Sequence, residues 1–366
     1  MRERAQYDLP LLILTISLMG IGIVIVYSAS AILAVDKFGD GYYFLKKQAL
    51  FGAFAVVMMV VMMKVPYVLL KRMAYPILGV SMMLLLLLLT PGIGYRVGGS
   101  TRWIRLFNLS FQPSEFAKLA LIIFLAHFLE KKGDRMETFS KGFLPVLIIS
   151  GAMISLVMLQ PDFGVALFLA AMVLVLLFVG GARVSYLAGS ILASIPFVYL
   201  LISRVDYRYN RIVGFLKPWE DSSRSSFQIV QSLLALGSGG LFGTGLGAGS
   251  QKLFFLPAPH TDFIFSVIGE ELGMVGATIT LGLFALFTIR GIRIALMAED
   301  PFGTFLALGI TAMISMQAII NMGVVLGLLP TKGLTLPFIS YGGTSLLINA
   351  MGVGILLNIS SKARRT

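Results

Sequence analysis

Long runs without charge recur along this chain, each broken by a short stretch where Lys, Arg, Asp, Glu, Gly or Pro gather. A helix crosses about 30 Å of hydrocarbon with about 20 residues, and the clearest runs reach that length without the period-2 alternation of a half-buried strand. The pattern predicts ten helices at roughly 9–35, 46–63, 73–91, 114–130, 142–160, 163–181, 184–203, 262–290, 302–329 and 340–360. The expected fold is therefore an all-α integral membrane protein with about ten transmembrane helices. Residues 1–366 form a single polytopic domain, with a long extracytoplasmic loop, 204–261, between helices seven and eight. No repeat of 20 to 50 residues argues for a solenoid, and no half-to-half similarity argues for an inverted-repeat transporter.

Composition sharpens this picture. The chain is 57% hydrophobic and 13% charged, with a mean hydropathy of +0.91, against about 25% charged in soluble domains. Arg2 and Arg4 ahead of an apolar stretch resemble a signal peptide, but the uncharged run from Leu9 to Val35 exceeds the 7–15 residues of such a core. It is expected to stay as the first helix. Cysteine is absent, which excludes a disulfide framework and a thiolate metal site.

The net charge of +12 is unevenly placed. Short connections holding Lys64, Lys71, Arg72, Lys131, Lys132, Arg135, Arg290 and Arg293 mark the cytoplasmic side by the positive-inside bias, so both termini are expected to be cytoplasmic. Two outer clusters run against that bias. Arg96, Arg102 and Arg105 lie between helices three and four, and Arg204, Arg208, Arg211, Lys217, Arg224 and Lys252 lie in the long loop. A long loop can translocate whatever its charge, but two clusters with the same anomaly favour an anionic ligand at the outer surface, such as a lipid diphosphate. The same loop contains 225–236, with the apolar spacing of an interfacial helix. After it comes 237–249, with seven glycines in thirteen residues, expected to be a mobile loop.

Charge inside an apolar helix is costly, about 2.5–3.5 kcal/mol on insertion scales, and so tends to be paired or functional. Glu115 and Lys118 are three apart, on one helix face, with Ser114 the expected N-cap. They could pair to hold the helix or line a cavity. Asp162 falls in a very short turn, where Asp ordinarily bonds backbone N–H groups. Asp262 opens helix eight, either as its cap or as a reactive carboxylate beside His260. Glu270 and Glu271 lie deeper on that helix, about 80° and 180° around from Asp262. Glu270 is the better cavity candidate, and Glu271 is expected to pair with a neighbouring helix. His127 and His260 lack ligand-spaced partners, so the metal assignment stays unknown, and a carboxylate site for Mg or Mn remains open.

Four segments in order, 100–119 (STRWIRLFNLSFQPSEFAKL), 159–164 (LQPDFG), 255–273 (FLPAPHTDFIFSVIGEELG) and 330–347 (PTKGLTLPFISYGGTSLL), resemble the SEDS proteins of shape, elongation, division and sporulation. The resemblance spans essentially the whole chain and is closer to the division and sporulation branch, FtsW and SpoVE, than to RodA. It implies a ten-helix peptidoglycan glycosyltransferase of the cell inner membrane that polymerises lipid II at the outer face, probed against two alternatives: a lipid II flippase, or a scaffold for a class B penicillin-binding protein. It implies that Asp262 is the essential residue and that Glu115, Lys118 and Asp162 belong to a central cavity. Arg102, His260, Glu270 and Ser340 complete the candidate set. The implied partners are lipid II, a class B penicillin-binding protein and other divisome or elongation-machinery membrane proteins. No cofactor is certain beyond a possible divalent cation, and nothing points to nucleic acid.

Overall fold

The computed structural model describes residues 7–97, 100–106, 109–220, 224–249 and 259–362. Each of the ten expected segments contains a helix: α1 (Leu9–Phe38), α2 (Tyr43–Lys64), α4 (Ala74–Leu87), α5 (Pro113–Lys132), α6 (Leu144–Leu159), α7 (Phe163–Val179), α8 (Val184–Ser203), α11 (Ile264–Leu296), α12 (Pro301–Val325) and α13 (Gly343–Ser360). Between these lie a short α3 (Tyr67–Arg72), a three-stranded antiparallel sheet of β1 (Gly94–Val97), β2 (Ser100–Leu106) and β3 (Leu109–Phe111), and two helices of the long loop, α9 (Asp206–Leu216) and α10 (Arg224–Ser238). Among the described residues seven segments are long and apolar enough to cross a membrane, and α4 and α7 are shorter apolar helices.

The helix with the most internal charge lies at the centre. α5 is buried almost throughout and packs against α12, α4 and α13. Its ionisable residues therefore meet protein, not lipid, which is how a membrane helix can carry them. It starts one residue earlier than expected. Pro113 takes the first helical position, where its missing N–H costs nothing, so Gln112 is the N-cap and Ser114 lies inside. α8 is the opposite case, burying only Leu187 along its length.

The start of α1 meets the end of α13, where the Asp8 N–H donates to Ser360 Oγ at 3.1 Å. Arg290, near the end of α11, lies 3.8 Å from the Asp8 carboxylate. The start of α1 and the end of α13 thus lie at one end of the bundle.

The glycine-rich segment is not a free loop. α11 breaks at Gly273 (φ 67°, ψ −166°), about 15 Å along the axis from its start at 1.5 Å per residue. In an unbroken helix the Met274 and Val275 N–H groups would bond the carbonyls of Glu270 and Glu271. They donate instead to Gly240 and Leu241 at 2.9 and 3.1 Å, while Thr244 and Gly245 donate to the freed Glu270 and Glu271 carbonyls at 3.0 and 3.1 Å. Residues 239–245 splice the broken helix, so these four N–H groups and the two freed carbonyls stay paired where water is scarce. Side chains are excluded by the close approach: a methyl at Gly239 would overlap the Gly269 carbonyl, and one at Gly243 the Glu271 carbonyl.

Gly273 occupies a region open essentially to glycine alone, and a methyl there would also overlap the backbone of Leu241 and Gly243. Gly273→Ala should lose about 2–3 kcal/mol of stability or more. Gly282→Ala, where nothing lies within 4 Å, should be neutral or stabilising by up to about 1 kcal/mol. Thermal unfolding of the two purified variants measures this, and equal melting temperatures would contradict the splice.

Candidate active site

The site is assembled at the end of the bundle opposite the start of α1 and the end of α13, from a strand, two turns, a loop and α9. β2 alternates its side chains across the sheet. Arg105 stacks on Tyr95, 5.3 Å from the ring centre. Arg102 reaches the turn between α6 and α7, donating to the Pro161 carbonyl at 3.0 Å and lying 3.5 Å from the Asp162 carboxylate. Asp162 caps α7, accepting from the Val165 N–H at 3.3 Å. The expected turn role is therefore present, and an arginine is added to it.

Asp262 does not cap α11. The helix begins at Ile264, and its N-cap is Phe263, which makes no side-chain cap hydrogen bond. The carboxylate instead faces the loop 331–335, with Oδ2 3.6 Å from where a methyl on Gly333 would lie. Burial pushes its pKa up to about 6, against the pull of Arg211 and then Arg102, with the Asp162 charge adding to the rise. Asp162 is raised as well, by burial first, with Arg102 opposing. Arg211 donates to the Thr331 carbonyl at 3.4 Å, which brings α9 over the same loop. Lys332, half-buried, lies against the first turn of α7 at Gly164, and burial lowers its pKa. The result is two carboxylates and three cations around one opening.

Three successive carbonyls hold the turn that carries Asp262. The Tyr341 N–H donates to His260 at 2.9 Å, Ser340 Oγ to Thr261 at 2.6 Å, and Asn321 Nδ2 to Asp262 at 2.8 Å. Ser340 therefore acts from a loop, not from the first turn of α13 as expected, because that helix starts only at Gly343. It also accepts from the Leu336 N–H at 2.8 Å. His260 turns to the other side. Its ring packs on Phe44 and Tyr341, and burial lowers its pKa to about 4, with Lys37 the charge it feels. Glu270 is buried against Gly249 of the spliced loop. Glu271 accepts from Ser28 of α1 at 2.7 Å, the neighbouring-helix contact expected of it.

Below the opening, Glu115 and Lys118 form the expected pair at 2.8 Å, with Lys118 fully buried. Its ammonium also donates to Gln317 Oε1 at 2.7 Å. Gln317 Nε2 passes the link to the Thr335 carbonyl at 2.9 Å. Lys332, Gln317 and Asn321 were missed in the sequence. The available signal was two amides four apart in an otherwise apolar run, which places both on one helix face. Arg96, Arg224 and Lys252 lie outside the residues whose side chains are described. Among the described residues no three ligand-type side chains gather into a metal site.

The family model described as "Cell cycle protein", covering FtsW, RodA and SpoVE, matches residues 9–365. The chain belongs to the FtsW/RodA/SpoVE family. Within that family it is 47% identical over 366 residues, all of this chain and 98% of the relative, to a probable peptidoglycan glycosyltransferase FtsW of Geobacter metallireducens. It is 46% identical over 362 residues, 99% of each, to stage V sporulation protein E of Bacillus subtilis. Among solved structures it resembles a chain of a peptidoglycan synthase complex described as coordinating polymerisation and crosslinking, with a TM-score of 0.81, 29% identity and coverage of 98% and 99%. Rod shape determining protein RodA of Thermus thermophilus gives 0.73, 28% identity and 98% of each chain. The FtsW/RodA/SpoVE assignment and the seven apolar spans make this a multi-pass membrane protein.

Proposed function

We propose that this chain is a peptidoglycan glycosyltransferase that polymerises lipid II at the outer face of the cytoplasmic membrane, in division or sporulation. The observation that carries the reading is Asp262, a carboxylate with no capping role, placed among Arg102, Arg211 and Lys332. The family membership supports the same reaction.

In that reaction the GlcNAc 4-hydroxyl of one lipid-linked disaccharide attacks the anomeric carbon of the other's MurNAc. The new glycosidic C–O bond forms as the bond to undecaprenyl diphosphate breaks, with inversion. Asp262 takes the hydroxyl proton as the bond develops, a role worth about 10²–10⁴-fold in rate. A base with a pKa near 6 is ionised at neutral pH yet still takes up a proton readily. Arg102, Arg211 and Lys332 stabilise the charge that accumulates on the departing diphosphate. A divalent cation would find Asp162 and Asp262 at this opening and would need diphosphate oxygens for the rest of its shell.

On this reading ten crossings, oriented by the positive-inside bias of the short basic connections, leave both termini in the cytoplasm and the Asp262 opening outside, and the implied partner is a class B penicillin-binding protein. A cysteine replacing exposed Trp219 should react with an impermeant thiol reagent in intact cells, and one replacing Ser361 only after permeabilisation; the reverse pattern would invert the topology. Function is tested with the purified protein and lipid II, with and without a class B partner. Glycan polymer supports the enzyme. Lipid translocation without polymer would make it a flippase, and activity supplied by the partner alone would make it a scaffold.

A further inference from the structure

We propose that Asn321 of α12 is a positioning residue for Asp262, and that Gln317, one turn away, ties the same hold to the Glu115–Lys118 pair. The proposal rests on the functional reading given above. Asn321 is almost fully buried, and its Nδ2 spends both hydrogens on backbone carbonyls: Asp262 at 2.8 Å and Leu334 at 2.7 Å. A carboxamide fixes its two N–H groups in one plane at a set angle. The two carbonyls it holds are therefore spaced by the amide. One belongs to the candidate base. The other belongs to the loop that carries Lys332 and Gly333 across from it.

The adjacent carbonyl, Thr335, is held by Gln317 Nε2 at 2.9 Å. Gln317 Oε1 in turn accepts from Lys118, the partner of Glu115. Residues 317 and 321 are four apart and share one face of α12. A single rigid helix thus sets the distance from the buried ion pair to the loop and from the loop to Asp262. Asn321 Oδ1 has no hydrogen-bond partner among the described residues. A buried acceptor left unpaired is a cost, so burial of this side chain is explained by its two donors. The N-cap of α11 is Phe263, which makes no side-chain cap bond, so capping does not itself fix Asp262. Ser340 and Tyr341 hold the two preceding carbonyls. Asn321 holds that of Asp262 itself and joins it to the facing loop.

The test compares polymerisation by purified parental protein, Asn321→Ala and Asn321→Asp. Asn321→Ala removes both donors, so kcat should fall at least tenfold while KM for lipid II stays within about threefold, because the cations remain. The acid midpoint of its rate profile should also move, since Asp262 is displaced relative to Arg211 and Arg102. Asn321→Asp keeps the size. Its neutral carboxyl can donate to one carbonyl, whereas its ionised form repels both. Its relative activity should therefore fall on raising the pH through the range where the parental rate rises. Parental kcat in Asn321→Ala, or a loss confined to KM, would overturn the proposal. If Asn321→Ala does not fold, an Asn321→Asp profile parallel to the parental one would overturn it equally. Absence of polymer from the parental protein would overturn the functional reading and this proposal together. Polymer from parental and Asn321→Ala proteins at equal kcat would overturn this proposal alone.

Discussion

Asp262→Asn should lose about 10²-fold or more in polymerisation rate while its thermal stability stays level or rises. The two changes have separate causes. Phe263 and not Asp262 is the N-cap of α11, so the substitution removes no helix-starting bond. In the fold the carboxyl titrates near 6 and not at its usual 3.8, because burial opposes its charge. Below about pH 4 the proton is bound in folded and unfolded chains alike, and the carboxyl carries no penalty. Between about pH 4 and 6 the unfolded chain gives up the proton while the folded chain keeps it, so stability falls across that range. Above about 6 the folded chain carries a charge that its burial opposes. Two pK units correspond to about 3 kcal/mol, and a share of this returns in the uncharged Asn variant above pH 6. Asp262→Glu keeps the base but moves it by one methylene, and a displacement of about 1 Å can cost about 10²-fold. Lipid II binding should survive in both variants, since Arg102, Arg211 and Lys332 are untouched. A cap or scaffold role predicts the opposite: near-parental polymerisation with any loss confined to stability.

The second large effect is expected at Glu115 and Lys118. Lys118 has no accessible surface, and Glu115 has little. Removing one partner from such a pair typically costs about 3–5 kcal/mol, because the remaining charge is left uncompensated in a poor solvent. Glu115→Gln and Lys118→Met should each lower folded yield and activity severely. The double variant should lose less than the sum, by about 1–3 kcal/mol of coupling, since it leaves no orphan charge. Melting temperatures and yields of the four proteins close this cycle. Strict additivity would mean that the two residues are not coupled.

Much of the bundle was legible because lipid is a severe solvent. The runs at 9–35, 163–181 and 184–203 have no reading other than apolar helices. Boundaries failed where a special residue intervened. The helix expected to run to 329 stops at Val325, where Gly327 takes a left-handed conformation (φ 68°) and closes its end. The break at Gly273 was hidden because the pattern around it remains helical, and only tertiary contact with 239–245 makes the break affordable. The same contact explains a glycine run that composition alone read as mobile. The sheet at 94–111 was missed because its strands are short and rich in Arg, although Gly98-Gly99 between alternating residues is a hairpin signal. α9 was missed because its charges read as loop.

The site was legible as a set of residue types rather than as a geometry. Asp262, Asp162 and Arg102 emerged as charges out of place, and the structure puts them within one electrostatic neighbourhood. His260, two residues before Asp262, packs on Phe44 and Tyr341 instead, since nearby residues in a turn need not share a side. Glu270, expected to line the cavity, lies against the spliced loop at Gly249. Lys332 has no unusual local pattern, and for Gln317 and Asn321 the pattern is only two amides four apart in an apolar run. Their roles exist only once α12 and the 331–340 loop are packed together.

The central claim is that Asp262 is the base, and the pH dependence of polymerisation tests it most directly. With its pKa near 6, the rate should rise about tenfold per pH unit below 6 and level off above it, and the residual rate of Asp262→Asn should lack this limb. A parental rate flat from pH 5 to 7, or the same limb persisting in Asp262→Asn, would contradict the account.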